Sequence, residues 1–141
     1  MILRIDTASS IPVYAQIVDQ VKRAIASGSL KSGDPLPSLR ETAIKLRVNP
    51  LTVNKAYKQL ETEGFIETRH GVGSFVTADQ AAVTDSFRRE TLERAIDNVL
   101  VDAAHFGVAF DDLKKLVDRR IESANDSFDR DNFERSNEND E

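Results

Sequence analysis

Between Ser38 and Val76 the chain sets two helix starts in close succession, then a glycine-broken pair of β-prone runs, an order that few folds accommodate. Ser38 stands three residues before Glu41, the spacing of a capping box, in which each side chain satisfies a backbone N–H of the first helical turn. Leu39, Thr42, Ala43 and Leu46 then share one face of a short helix. After Arg47 and Val48, Asn49 is suited to cap a further helix with Pro50 at its first position, and Gly64 to stop it after Glu63. Phe65-Ile-Glu-Thr-Arg69, His-Gly-Val-Gly and Ser74-Phe-Val-Thr77 read as two strands around a tight turn.

Upstream of this block, Val13, Tyr14, Ile17, Val18, Val21, Ala24 and Ile25 recur at helical intervals behind Pro12, and Gly28 closes the run. Leu30 to Pro37 is punctuated by Gly33 and two prolines, so it is expected to be a loop with at most a short edge strand. Three helices followed by a hairpin is the order of a winged helix-turn-helix. The expected fold class is α+β, mainly α, with this domain occupying 1–78 and a short two-helix region behind it.

That second region is read at 79–124. From Ala81 to Phe106 there is no Gly or Pro, and Leu92, Ile96, Val99, Ala103 and Phe106 are spaced as a heptad seam of the kind that packs against another helix. Gly107 breaks the run. Asp111 is expected to cap a last helix with Leu113, Leu116, Val117 and Ile121 on one side. The seam spans only two heptads, so packing within the chain explains it about as well as dimerisation does. From Asn125 the sequence holds 7 acidic and 2 basic residues, with Phe128 and Phe133 as its only large apolar ones. Residues 125–141 are therefore expected to be a disordered, solvated tail.

Composition narrows the chemistry. The 141 residues contain no cysteine, which removes disulfides, thiolate zinc sites and cysteine nucleophiles and is compatible with a reducing cytoplasm. No signal peptide is expected from the Met-Ile-Leu-Arg-Ile-Asp start, and no apolar run approaches the ~20 residues that span a bilayer. The net charge of −5 is unpromising for a nucleic-acid binder until it is divided. Residues 1–78 carry 10 Lys and Arg against 7 Asp and Glu, a net +3, whereas 79–141 carry 9 against 17, a net −8. The acidic total hides a mildly basic N-terminal part, a modest argument for a polyanionic partner.

The third helix carries the more specific argument. Val53, Ala56, Tyr57 and Leu60 make a compact buried stripe, and opposite it lie Leu51, Lys55, Lys58 and Thr62, with Asn54 to one side. Amides pair with adenine edges, lysines with guanine or phosphate, and apolar groups with the thymine methyl. A helix in the major groove reads bases mostly through its N-terminal residues. Arg40 and Arg47 bracket the second helix, where phosphate contacts would fix register, and Arg69, His70 and Gly71 stand at the wing tip. Gly71-Val-Gly73 is no dinucleotide loop, because a third glycine is missing and a strand rather than a helix follows.

Pro12-Val-Tyr-Ala-Gln-Ile, Leu30-Lys-Ser-Gly-Asp-Pro-Leu-Pro-Ser-Leu-Arg-Glu, Val48-Asn-Pro-Leu-Thr-Val-Asn-Lys-Ala-Tyr-Lys-Gln-Leu-Glu and Glu63-Gly-Phe-Ile-Glu-Thr-Arg-His-Gly-Val-Gly-Ser-Phe-Val resemble the GntR family of transcription regulators. The short remainder resembles its YtrA subfamily. The resemblance implies that Arg40 contacts DNA, that Asn49, Thr52 and Asn54 meet bases or phosphates, and that His70 and Gly71 form wing contacts. Pro50 and Leu51 fall where some members carry Arg and Thr, so base preference does not transfer. The full expected DNA-facing set is Ser38, Arg40, Arg47, Asn49, Leu51, Thr52, Asn54, Lys55, Lys58, Arg69, His70 and Gly71.

One module of this size buries too little surface for tight specific binding, and two-fold dimers reading paired half-sites are the usual solution. The helices at 81–106 and 111–124 are the natural dimer element, through Leu92, Ile96, Val99, Ala103, Phe106, Leu113, Leu116 and Val117. The expected partners are double-stranded operator DNA and a second copy of the chain, with no membrane. The region after residue 78 is too small to enclose an ordinary ligand pocket of ~300–1,000 Å³, so any small-molecule effector would sit between subunits or domains. The family resemblance suggests repression. Two rivals are a non-specific architectural DNA binder and a winged helix used for protein contacts. No enzyme is expected: His70 and His105 are the only histidines, and no nucleophile is paired with a base. No metal site or cofactor is expected either.

Overall fold

The computed structural model describes residues 1–77 and 81–138, with the backbone alone over 129–138. Its elements run α1 (Val13–Ala26), α2 (Leu39–Leu46), α3 (Pro50–Thr62), β1 (Ile66–Arg69), β2 (Gly73–Val76), α4 (Ala81–His105) and α5 (Phe110–Glu138).

Each short helix begins and ends for a local reason. Pro12 is the N-cap of α1, one position ahead of the first-turn site that the sequence suggests, and its carbonyl accepts from Gln16 N–H at 3.1 Å. The capping box forms in full at α2: Ser38 Oγ accepts from Glu41 N–H at 3.1 Å, and Glu41 Oε2 accepts from Ser38 N–H at 2.8 Å. Asn49 Oδ1 accepts from Leu51 N–H at 2.9 Å to start α3, with Pro50 at its first turn. The apolar faces so presented meet in one core: Ile17, Val21, Val53, Leu60 and Val76 are wholly buried.

β1 and β2 pair antiparallel, Ile66 opposite Val76 and Arg69 opposite Gly73. The segment expected to be a loop with at most a short edge strand contributes a single isolated bridge. Pro35 bridges Phe75, Leu36 N–H donates to Ser74 carbonyl at 2.8 Å, and Val76 N–H donates to Asp34 carbonyl at 2.8 Å. The loop before α2 is therefore tied to the wing by main-chain hydrogen bonds. The N-terminal arm is held differently, by two glutamines on one face of α1. Gln20 exchanges both amide hydrogen bonds with the backbone of Arg4 (2.9 and 2.6 Å), and Gln16 does the same with Asp6 (2.9 and 3.0 Å). The side-chain amides imitate a neighbouring strand.

The chain divides into two compact units, Met1–Leu92 and Glu93–Glu141. The first boundary thus lies beyond the 78 read from the sequence, because the opening turns of α4 pack on the winged domain. Phe87 is buried, its ring edge-on to Phe65 at 6.1 Å and 83°. Arg88 donates twice to the Ala26 carbonyl at the end of α1, at 2.7 and 3.1 Å. Lys22 bonds Glu63 at 2.7 Å and lies 5.1 Å from the Phe65 ring centre.

The second unit corrects one expectation. Asp111 does not cap α5: the helix begins at Phe110, and Asp111 and Asp112 sit in its first turn, where their charge still favours the positive helix end. The backbone of 125–138 is helical, where composition predicts disorder; among these residues there is no Gly or Pro to interrupt it. Residues 139–141 of the expected tail, and 78–80, lie outside the described residues. Ala103, assigned to the dimer seam, is only 5% exposed, and its carbonyl accepts from Val108 N–H at 2.8 Å as the chain turns at Gly107. A side chain already buried by its own chain is a poor candidate for an intersubunit contact. Leu113 is half-buried, whereas Leu92, Ile96, Val99, Phe106, Leu116 and Val117 are exposed. No helix among the described residues is long and apolar enough to cross a membrane.

Candidate nucleic-acid interface

Three elements border one groove. The start of α2, the outer side of α3 and the β1–β2 turn enclose about 500 Å³ lined by Ser38, Asn54, Lys58, Arg69, His70 and Gly71. These six come from three separate stretches of sequence, and the fold brings them together. Gly71 sits at φ 74°, the left-handed region that strains a residue bearing a side chain, and the space where its Cβ would stand is open to 4 Å. The wing tip can therefore approach a sugar-phosphate wall closely.

The other expected contacts lie outside that groove, and their environments separate them. Arg40 is exposed on α2, and Leu51 is 73% exposed near the start of α3, an apolar group free to meet a base methyl. Thr52 is half-buried. Asn49 spends its carbonyl oxygen on the α3 cap, which leaves its NH₂ as the group that can donate outward. Lys55 does not extend freely: its Nζ stands 3.9 Å from the centre of the Tyr14 ring on α1. Arg69 is stacked 4.6 Å from the Phe75 ring centre and paired with Glu67 at 2.7 Å. Both members of that pair are exposed, and such pairs contribute under ~1 kcal/mol, so a phosphate can displace the carboxylate.

Arg47 occupies a telling position. It ends α2 at φ 55°, ψ 45°, the single non-glycine residue with positive φ among the described residues. A left-handed conformation costs a side-chain-bearing residue ~1–2 kcal/mol, partly offset because glycine loses ~0.5–1 kcal/mol more chain entropy on folding. Arg47→Gly is therefore expected to raise stability by ~0.5–1 kcal/mol. If the guanidinium meets a phosphate, the same change lowers DNA affinity and reduces the salt slope of binding by ~0.9. Thermal melts beside DNA titrations at several salt concentrations read both effects, and unchanged DNA affinity would remove Arg47 from the interface.

Two features of the site escaped the sequence reading. Glu61 lines the groove with Lys58. Its position three residues after Lys58 places it on the same helical flank, a spacing that could have found it. The second is a buried polar link. Tyr57 Oη donates to the Pro37 carbonyl at 2.8 Å and lies 3.0 Å from Thr42 Oγ1. Burial pushes the Tyr57 phenol above its ordinary value, so it remains a neutral donor. At the neighbouring cap, the backbone and side-chain hydrogen bonds of Ser38 hold the Glu41 carboxyl below the usual carboxylate range, which keeps the capping box charged and closed. No group of metal-ligating residues occurs among the described residues.

Comparison with known proteins agrees with this geometry. Residues 13–76 match the family described as bacterial regulatory proteins, gntR family. The chain is 36% identical over 115 residues to the HTH-type transcriptional repressor YtrA of Bacillus subtilis (strain 168), an alignment covering 82% of this chain and 88% of that one. A crystal structure of a transcriptional regulator from Oenococcus oeni superposes with a TM-score of 0.71 at 37% identity, over 83% of this chain and 97% of that one. YtrA from Sulfolobus acidocaldarius, a GntR-family transcription factor, aligns with a TM-score of 0.54 at 44% identity, over 69% of this chain and 99% of its own. The winged helix-turn-helix, its groove and these likenesses identify the chain as a DNA-binding transcription regulator that belongs to the GntR family, of the YtrA-like kind.

Proposed function

We propose that the protein represses transcription by binding a two-fold symmetric operator as a homodimer in the cytoplasm. The observation that carries this reading is the convergence of Ser38, Asn54, Lys58, Arg69, His70 and Gly71 on a single groove beside α3. Amide, hydroxyl and cationic groups on a helix, flanked by a basic turn, suit base edges and backbone together. The dimer is supported by the apolar side chains that α4 and the turn after it leave in solvent, Ile96 at 58% exposure and Phe106 at 78%. Repression is carried to this chain from the Bacillus subtilis relative, which is named as a transcriptional repressor. The DNA-facing set named from the sequence stands as part of this proposal, with Lys55 and Arg69 drawn from their intramolecular partners on binding.

The test is selection of bound duplexes from a random DNA library near physiological salt. A two-fold symmetric motif is the expected result; recovery without a motif would favour architectural, phosphate-dominated binding. Within that motif, Asn54→Ala is expected to relax preference at one base pair per half-site, at a discrimination cost of ~1–3 kcal/mol. A uniform loss across all sequences would assign Asn54 to the backbone instead.

A further inference from the structure

We propose that the Tyr57 hydroxyl is a positioning group that sets sequence specificity by holding the three DNA-facing elements in one arrangement. The proposal rests on the sequence-specific reading above. Tyr57 belongs to α3 and is 6% exposed; Thr42 belongs to α2 and is 2% exposed. A phenol has one proton, and the geometry gives it to the Pro37 carbonyl at 2.8 Å, so Thr42 must donate its own proton to Tyr57 Oη across 3.0 Å. The chain of donation runs Thr42 to Tyr57 to Pro37, and each bond polarises the next.

What sets this apart from ordinary satisfaction of a buried phenol is where the partners lie. Pro37 immediately precedes Ser38, the N-cap from which α2 and Arg40 are launched. The preceding residue, Leu36, donates its N–H to Ser74 on β2, so the same short segment carries the wing. One hydroxyl on the recognition helix is thus linked to the start of α2, to the body of α2 and, through two residues of backbone, to the wing. A phenylalanine would fill the same space. The oxygen adds the angular restraint, and base reading depends on where Asn54 stands relative to the backbone contacts.

The full-length protein is tested on the duplex enriched by selection and on a scrambled duplex of equal length. Tyr57→Phe and Thr42→Val are each expected to weaken binding to the motif about tenfold while leaving the scrambled duplex within about twofold and the salt slope unchanged. Thr42→Ser, which keeps the hydroxyl, is expected to bind as the wild type does. The double variant Tyr57→Phe with Thr42→Val is expected to lose no more than about the larger single effect, since both changes break one chain. If Tyr57→Phe fails to fold, the Thr42→Val and Thr42→Ser pair decides. Equal losses on both duplexes, or motif affinity unchanged in Thr42→Val, would overturn the proposal. A wild-type protein with no sequence preference would overturn the underlying reading, and the proposal with it.

Discussion

Replacing Ile96 with aspartate is expected to leave a folded monomer whose affinity for a two-fold symmetric operator is lower by roughly 10²–10⁴. The size follows from tethering: once one module of a dimer is bound, the second binds from a high effective concentration, and losing the tether forfeits that gain without touching a DNA contact. Ile96 is 58% exposed on α4, with Leu92 at 64% and Val99 at 45% on the same heptad face. Contiguous apolar exposure of this kind marks an interaction surface. In an exposed monomer helix an aspartate is tolerated, but in an interface it is an unpaired buried charge that disfavours association strongly. Folding and dimerisation therefore separate cleanly in this variant. Sedimentation or light scattering reads the mass, circular dichroism the helix content, and DNA titration the affinity. A folded Ile96→Asp dimer at micromolar concentration would show that this face is not the subunit contact.

Local chemistry was legible before the fold was seen. The capping box at Ser38 and Glu41, the Asn49 cap with Pro50 and the glycine turn at Gly71 are rules about adjacent residues, and each appears where those rules place it. The buried stripe of α3 was legible too, because helical periodicity alone separates Val53, Ala56, Tyr57 and Leu60 from the rest. Features that depend on distant partners were not. Nothing near Tyr57 in sequence announces that its oxygen meets Pro37, and nothing near Lys55 announces the Tyr14 ring. Over 125–138 the backbone is helical; charge and low hydropathy argue against a packed core, but they do not forbid a helix that lacks Gly and Pro. Ala103 shares the heptad spacing yet is only 5% exposed, because that spacing says which residues share a face, not which of them the chain itself already covers.

The boundary at residue 78 illustrates the same limit, and it yields the second large effect. Phe87→Ala is expected to destabilise the Met1–Leu92 unit by ~3–5 kcal/mol, the usual range for deleting a buried phenyl ring. Phe87 is 8% exposed, meets Phe65 edge-on at 6.1 Å, and has Lys22 Nζ 5.7 Å from its centre. Truncation removes its transfer energy, the ring–ring term and one of the two aromatic faces around Lys22. Against a typical domain stability of ~5–15 kcal/mol that loss is large, and it should appear as a markedly lower melting temperature with earlier hydrogen exchange in the opening turns of α4. The alternative is that α4 begins as a passive linker after the wing, in which case a surface-like change under ~0.5 kcal/mol would be measured. Phe65 stands two residues beyond Glu63, the C-cap of α3, and a Cβ on Gly64 would lie 3.6 Å from Val83, so the two outcomes also decide how firmly the opening turns of α4 are held to the end of α3.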